Sequence, residues 1–159
     1  MHEAVIGIDV GGTKIAAVLM TLDGVVAKRI RVGTERKSDY LILRQIGDLI
    51  EELLSNSVNG KEHVLGVGIG VPGAIDKARG LAITASNLPW AQTDICPPLQ
   101  KQFGLAVFLE NDANAAALGE YYFGCAKGTK TFVFISLGTG IGGGIILNGE
   151  LLCDQGQAE

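Results

Sequence analysis

Disulfide and zinc chemistry have little to work with in this chain. It holds three cysteines, Cys96, Cys125 and Cys153, an odd number with none in a Cys-x-x-Cys pair. Neither a disulfide framework nor a zinc site is indicated, and a reducing, cytoplasmic setting is the default. Charge is also sparse: 13 Lys and Arg against 17 Asp and Glu leave a net charge of −4, which gives no general attraction to nucleic acid or an anionic membrane. The one basic stretch, Lys28 to Lys37, is interrupted by Val32, Gly33, Thr34 and Glu35 and reads as a solvated strand end and loop. No apolar run reaches membrane-spanning length, and Met1-His2-Glu3-Ala4 leads into a strand pattern without the layout of a signal peptide. Long polar tracts are missing too. With 47% hydrophobic and 19% charged residues, the composition is that of a globular chain, not a disordered one.

What the chain does have is glycine. Its 23 glycines cluster in short turns after apolar runs and do not repeat every third position, which suggests backbone brought close to a ligand. Residues 4–10, 14–20 and 25–32 read as three strands joined by turns so short that they must form an antiparallel meander. Residues 38–54 form the clearest helix, capped by Ser38, with Ile42, Ile46, Leu49, Ile50 and Leu53 on one stripe, Gly47 as a mild flaw and Asn59-Gly60 as its stop. A strand at 63–71 closes on Pro72-Gly73, and a hairpin spans 74–76 and 81–83. A helix is expected near 93–103, a strand at 105–110, a helix at 112–123 behind an Asn111 cap, and strands at 131–137 and 144–148. The pattern predicts an α/β fold, a mixed sheet covered by helices. Gly124 to Lys130 is the expected boundary, with one domain over 1–126 and the beginning of a second, similar one over 127–159.

Two glycine turns carry chemistry. In the first, a strand delivers Asp9, and Gly11-Gly12 lets backbone N–H groups face a ligand, with Thr13 adding a hydroxyl and Lys14 a cation. Asp9 beside a phosphate cradle suits Mg²⁺, directly or through water. A plain Gly-Gly hairpin explains the same residues, and with no helix following, the spacing is neither a Walker P-loop nor a dinucleotide fingerprint. The second turn, Gly138-Thr139-Gly140-Ile141-Gly142-Gly143-Gly144, spends five glycines in seven residues, a cost that close approach of a polyphosphate would offset.

Between the turns lies Glu110-Asn111-Asp112-Ala113-Asn114, where a strand ends and a small-residue helix begins. Asp112 falls at the C-terminal edge of the sheet, where open α/β sheets bind ligands; Asn111 and Asp112 also suit a helix N-terminus with no further role. A helix N-terminus lowers a carboxylate pKa, whereas a strong base wants it raised. Phosphoryl transfer eases that tension, since the attacking hydroxyl needs positioning more than full deprotonation. Gly73 permits backbone contact with a ligand, Asn87 suits sugar hydroxyls, and Trp90 is a candidate to line a cleft; a proline-stiffened loop over the core explains the same segment.

Five segments in order, IGIDVGGTKIAA, GVGIGVPGAID, NLPW, LENDANAAALGEYYFG and ISLGTGIGGGIILNG, resemble the ROK family of bacterial sugar kinases and repressors, and its glucokinases most. The resemblance implies an actin-like, ribonuclease-H-like fold of two domains with ATP between them. It implies ATP-phosphate contacts at Asp9, Gly11, Gly12, Thr13, Lys14, Gly138, Thr139, Gly140 and Gly142, and a catalytic base at Asp112. Sugar contacts follow at Gly73, Asn87, Asn111, Asp112 and Glu159. The expected reaction is ATP-dependent phosphorylation of a hexose, glucose foremost, with Mg²⁺, in a protein that forms a homo-oligomer, a dimer, when full length. A sugar-responsive repressor and a catalytically incomplete piece of the kinase are the alternatives. A first strand starting near residue 4 leaves no room ahead of it for a DNA-binding helix-turn-helix. The chain ends at Glu159, before the family's downstream histidine, its cysteine-rich zinc motif and its adenosine-binding segment, so the family's zinc does not carry over. Gln157-Ala158-Glu159 also lacks the glycine the family places before that glutamate.

Overall fold

The computed structural model describes residues 3–55, 64–138 and 140–152. Asn59-Gly60, Thr139, Cys153 and Glu159 lie outside the described residues. The chain forms two compact units, Met1–Asn111 and Asp112–Glu159. The first contains β1 (Ala4–Val10), β2 (Lys14–Thr21), β3 (Val26–Gly33), α1 (Asp39–Ser55), β4 (Val64–Val71), β5 (Ala74–Asp76), β6 (Leu81–Thr84), β7 (Ala91–Asp94), α2 (Cys96–Phe103) and β8 (Ala106–Asn111). The second contains α3 (Asp112–Tyr122), β9 (Phe132–Leu137), β10 (Ile141–Leu147) and β11 (Glu150–Leu151). Helix α3 groups with β9–β11, which sets the division of compact units ahead of the Gly124–Lys130 link.

In the first unit the meander closes as its short turns require: β1 pairs antiparallel with β2, and β2 with β3. The longer connections allow parallel pairing, β4 beside β1 and β8 beside β4. The result is a five-stranded mixed sheet in the order β3-β2-β1-β4-β8. Strand β1 alternates as a strand with one core-facing side should, burying Ile6, Ile8 and Val10 while Asp9 is exposed. Against the sheet lies α1. The Ser38 hydroxyl accepts the Leu41 N–H at 3.2 Å, which caps the helix as expected. Ile42, Ile46, Leu49, Ile50 and Leu53 are buried, and full burial of such side chains stabilises by about 1.5–3 kcal/mol each. A Cβ on Gly47 would meet Gln102 at 3.6 Å and Leu99 at 4.0 Å, ordinary contact distances, so packing does not require that glycine.

The helix expected near 93–103 begins at Cys96, and Ala91–Asp94 is instead a strand paired with β6. Pro97 and Pro98 explain the difference: without N–H groups they fit only the first turn, so the helix cannot start earlier. Trp90 is buried at 4% exposure among the core residues. Its indole N–H has no partner.

In the second unit, β9, β10 and β11 form an antiparallel sheet. The strand expected at 144–148 begins at Ile141, so Gly142, Gly143 and Gly144 are strand residues opposite Ser136, Ile135 and Phe134. Ahead of it, the Gly138 N–H donates to the Gly140 carbonyl at 2.9 Å. The physical reason is the fit to α3. A Cβ on Gly144 would lie 2.7 Å from the Ala117 methyl and 2.9 Å from the Ala113 carbonyl, and one on Gly142 would lie 3.2 Å from the Ala113 methyl. The small face of the helix and the glycines of the strand are complementary surfaces. The short β11 follows a turn in which Asn148 and Gly149 have φ of 53° and 87°, the signs a type I′ hairpin needs.

Among the described residues, the opposite face of this sheet is apolar and exposed. Val133 (60%), Ile135 (62%), Leu137 (79%) and Ile141 (83%) are all exposed, and the register sets Ile141 beside Leu137 and Gly143 beside Ile135.

Candidate functional site

The parallel strands β1, β4 and β8 run side by side and end at one edge. Asp9 is level with Gly70, Gly70 with Glu110, and Val71 with Asn111. The next residues of each strand therefore leave the sheet together: the Gly11-Gly12 turn from β1, Pro72-Gly73 from β4, and Asn111 at the end of β8. Adjacent strands lie about 4.8 Å apart, so this edge gathers its groups within roughly 10 Å.

The first turn is tied at several points. The Gly11 N–H donates to the Lys14 carbonyl at 2.9 Å, and the Thr34 N–H donates to the Thr13 carbonyl at 3.1 Å. The Thr34 hydroxyl donates to the Gly11 carbonyl at 2.7 Å. A Cβ on Gly12 would lie 3.0 Å from Asn87 Nδ2 and 3.3 Å from its Cβ and Cγ. The sequence-expected phosphate turn and the expected sugar-contacting Asn87 therefore touch. Asn87 Oδ1 is buried without a hydrogen-bond partner, an acceptor that its surroundings leave unsatisfied. Asp9, Thr13 and Lys14 are exposed.

At the other end of the edge, Asn111 Nδ2 donates to the Gly73 carbonyl at 3.1 Å. Gly73 has φ of 88°, and a Cβ there would collide with the Thr84 carbonyl and with Ala85, so the position demands glycine. Glu110 accepts the Asn111 N–H at 2.9 Å and the Lys77 ammonium at 2.5 Å. Its carboxylate, 17% exposed, anchors the end of β8 to the β5–β6 hairpin. Asp112 follows as the first residue of α3, half-buried, with Oδ1 accepting the Ala113 N–H at 2.8 Å.

Of the second-turn residues, Gly138 and Gly140 have, among the described residues and beyond their own chain neighbours, no atom within 4 Å of the place a Cβ would occupy. That is open room beside the backbone, as a phosphate would need. Gly142 is different, because its missing side chain makes room for Ala113 and Ser136. The residues that sequence reasoning missed are Thr34, Gln45, Lys77 and the role of Glu110. Each acts through a contact distant in sequence, and no local pattern marks it.

Both described thiols, Cys96 and Cys125, are shifted toward their protonated form. Burial pushes the Cys96 thiol up to about 11, and hydrogen bonding and charge repulsion from Glu120 raise that of Cys125. Among the described residues no group of three or more His, Cys, Asp and Glu side chains could hold a metal, and no helix is long and apolar enough to cross a membrane.

Known proteins resemble the chain over nearly its whole length. A glucokinase of Halalkalibacterium halodurans is 36% identical over 148 residues, 92% of this chain and 45% of that protein. A xylose repressor of Caldicellulosiruptor bescii is 35% identical over 152 residues, covering 93% of this chain and 37% of the repressor. The crystal structure of a ROK family glucokinase from Streptomyces griseus in complex with glucose and AMPPNP superposes with a TM-score of 0.85 at 36% identity, over 94% of this chain and 46% of that one. The chain thus spans about half the length of the curated relatives it matches, and its fold is the actin-like α/β fold of ROK sugar kinases. The ROK family profile covers residues 5–158, and the chain belongs to the ROK family.

Proposed function

We propose that this chain is the sugar-binding and ATP-phosphate-binding half of a hexose kinase, transferring the γ-phosphoryl group of ATP to a hexose, with glucose the first candidate. The observation that carries the reading is the contact of Asn87 with Gly12, which sets a sugar-type amide against a phosphate-type turn on a single sheet edge. The chain's likeness to a glucokinase and to a kinase structure containing glucose and AMPPNP supports it.

In this reading Asn87, Asn111 and the backbone at Gly73 orient the sugar hydroxyls, and Asp112 accepts the proton of the attacking hydroxyl. Amides of the two glycine turns, with Thr13 and Lys14, hold the phosphates, and Thr139 and Glu159 add phosphate and sugar contacts. Preorganised donors of this kind stabilise the charge spread over a transferring phosphoryl group. The residues present fit Mg²⁺: Asp9 is an exposed carboxylate beside the turn, and Mg²⁺ commonly takes one or two carboxylates plus water and phosphate oxygens. When bound, the ion neutralises phosphate charge. The domains of this proposal are 1–126 and the opening of a second at 127–159, in a cytoplasmic homo-oligomer.

Two observations favour a related reading, in which the 159 residues alone are catalytically incomplete. They span 45% of the glucokinase they match, and the apolar face of β9 and β10, exposed among the described residues, lacks the cover that such a face normally has. The 35% identity to a xylose repressor also keeps a sugar-responsive regulator in view. One experiment separates them. Hexoses are offered with ATP to the chain, and to a version extended to the length of its relatives, while ADP release is followed. The kinase reading expects the extended version to turn over at least one hexose. No turnover of glucose, mannose, fructose or N-acetyl amino sugars, together with sugar-dependent release from operator DNA, would establish the regulator instead.

A further inference from the structure

Thr34 lies outside every motif, 23 residues from the first glycine turn, yet it holds two of that turn's carbonyls. Its hydroxyl donates to Gly11 O at 2.7 Å and its N–H to Thr13 O at 3.1 Å. Thr34 is itself held from both sides. Gln45 of α1 donates through Nε2 to the Gly33 carbonyl at 2.8 Å and accepts the Glu35 N–H at Oε1, also at 2.8 Å. Both ends of one side-chain amide thus clamp the residues flanking Thr34 to a helix whose neighbouring Ile42, Ile46 and Leu49 are buried in the core.

The consequence follows from peptide geometry. All described peptide bonds are trans, and a trans peptide points its N–H opposite to its carbonyl. With the Gly11 carbonyl turned toward Thr34, the Gly12 N–H faces the other way. With the Thr13 carbonyl turned toward Thr34, so does the Lys14 N–H. The two amides then present donors on the side of the turn away from β3, the arrangement of an anion-binding concavity.

We propose that Thr34, locked by Gln45, is the positioning residue of the first glycine turn, fixing its amides to receive the phosphates of a polyphosphate substrate. The inference rests on the proposed kinase reading for its substrate, but its test does not need turnover.

Thr34→Val removes only the hydroxyl at nearly constant shape, and Thr34→Ser restores it. Hydrogen exchange at the Gly11 amide, measured in the chain itself, reports whether the turn loosens. Binding of ATP, of inorganic tripolyphosphate and of glucose is measured by calorimetry on the extended version. Losing one such hydrogen bond is expected to weaken ATP and tripolyphosphate about tenfold, leave glucose within about twofold, and speed Gly11 exchange, with Thr34→Ser close to wild type on every readout. Gln45→Ala is expected to reproduce the faster exchange. Unchanged exchange in Thr34→Val, equal weakening of glucose and tripolyphosphate, or no tripolyphosphate binding by the wild type would each overturn the inference. A wild type that binds tripolyphosphate in a Thr34-dependent way but phosphorylates no hexose would sink the kinase reading and leave this one standing.

Discussion

Gly12→Ala tests the contact on which the site is built. The added methyl would lie 3.0 Å from Asn87 Nδ2 and 3.3 Å from Asn87 Cβ and Cγ, closer than carbon and nitrogen atoms rest. Either the turn or Asn87 must give by a few tenths of an ångström. Overpacking costs about 1–3 kcal/mol in closed cores. Asn87 is half-buried on a loop, so the lower end, about 1 kcal/mol, is expected. Asn87→Ala removes the amide and leaves only the Cβ contact. In the double variant most of the clash disappears, so Gly12→Ala should then cost much less, giving a coupling of about 0.5–1 kcal/mol. Urea unfolding of the four proteins measures it. In the extended version, displacement of the Asn87 amide should raise the hexose KM about tenfold, since misplacement by 1 Å can cost roughly a hundredfold. Strict additivity in both stability and KM would refute the reasoning, because it would mean that Gly12 and Asn87 do not meet.

Further expectations follow from the packing. Gly47→Ala places a methyl at ordinary contact distance from Gln102 and Leu99 and should stabilise the chain by about 0.5–1 kcal/mol through helix propensity, read as an increase in Tm. Gly144→Ala drives a methyl against Ala117 and the Ala113 carbonyl; it should cost about 1–3 kcal/mol, measured by thermal unfolding of the second unit. Raised thiol pKa values keep Cys96 and Cys125 protonated at neutral pH. Alkylation should therefore be slow for both at pH 7. As pH rises it should reach the exposed Cys125 well before Cys96, which is buried and titrates near pH 11, with mass spectrometry of peptides reporting the order.

The parts of the fold that were readable share one property: the signal is local. The meander of β1 to β3 follows from turns too short for any other pairing, and α1 from a five-residue apolar stripe behind Ser38. Where two local signals competed, the expectation slipped. The pattern near 93–103 suggested helix throughout, but Pro97 and Pro98 confine its start to Cys96. The second glycine cluster is legible as a turn, but its share in packing is not. Gly142 and Gly144 serve α3, a role visible only when Ala113 and Ala117 are seen against them. Asn148-Gly149 was a hairpin signal in plain sight, and it marks β11. At the site, Asp9, Gly73, Asn87 and Asn111 do converge on one edge. Thr34, Gln45 and Lys77 were invisible, because their hydrogen bonds join segments whose proximity only the folded sheet creates.

The most direct test concerns Asp112, the first residue of α3. In the extended version, Asp112→Asn keeps the size of the side chain and its capacity to accept the Ala113 N–H while removing the carboxylate proposed as the base. Transfer of phosphate from ATP to the hexose should fall about 10²- to 10⁴-fold, with sugar and ATP binding within a few-fold of wild type. Turnover of Asp112→Asn within a few-fold of wild type would contradict the assignment of Asp112 as the base and, with it, the proposed chemistry of the site.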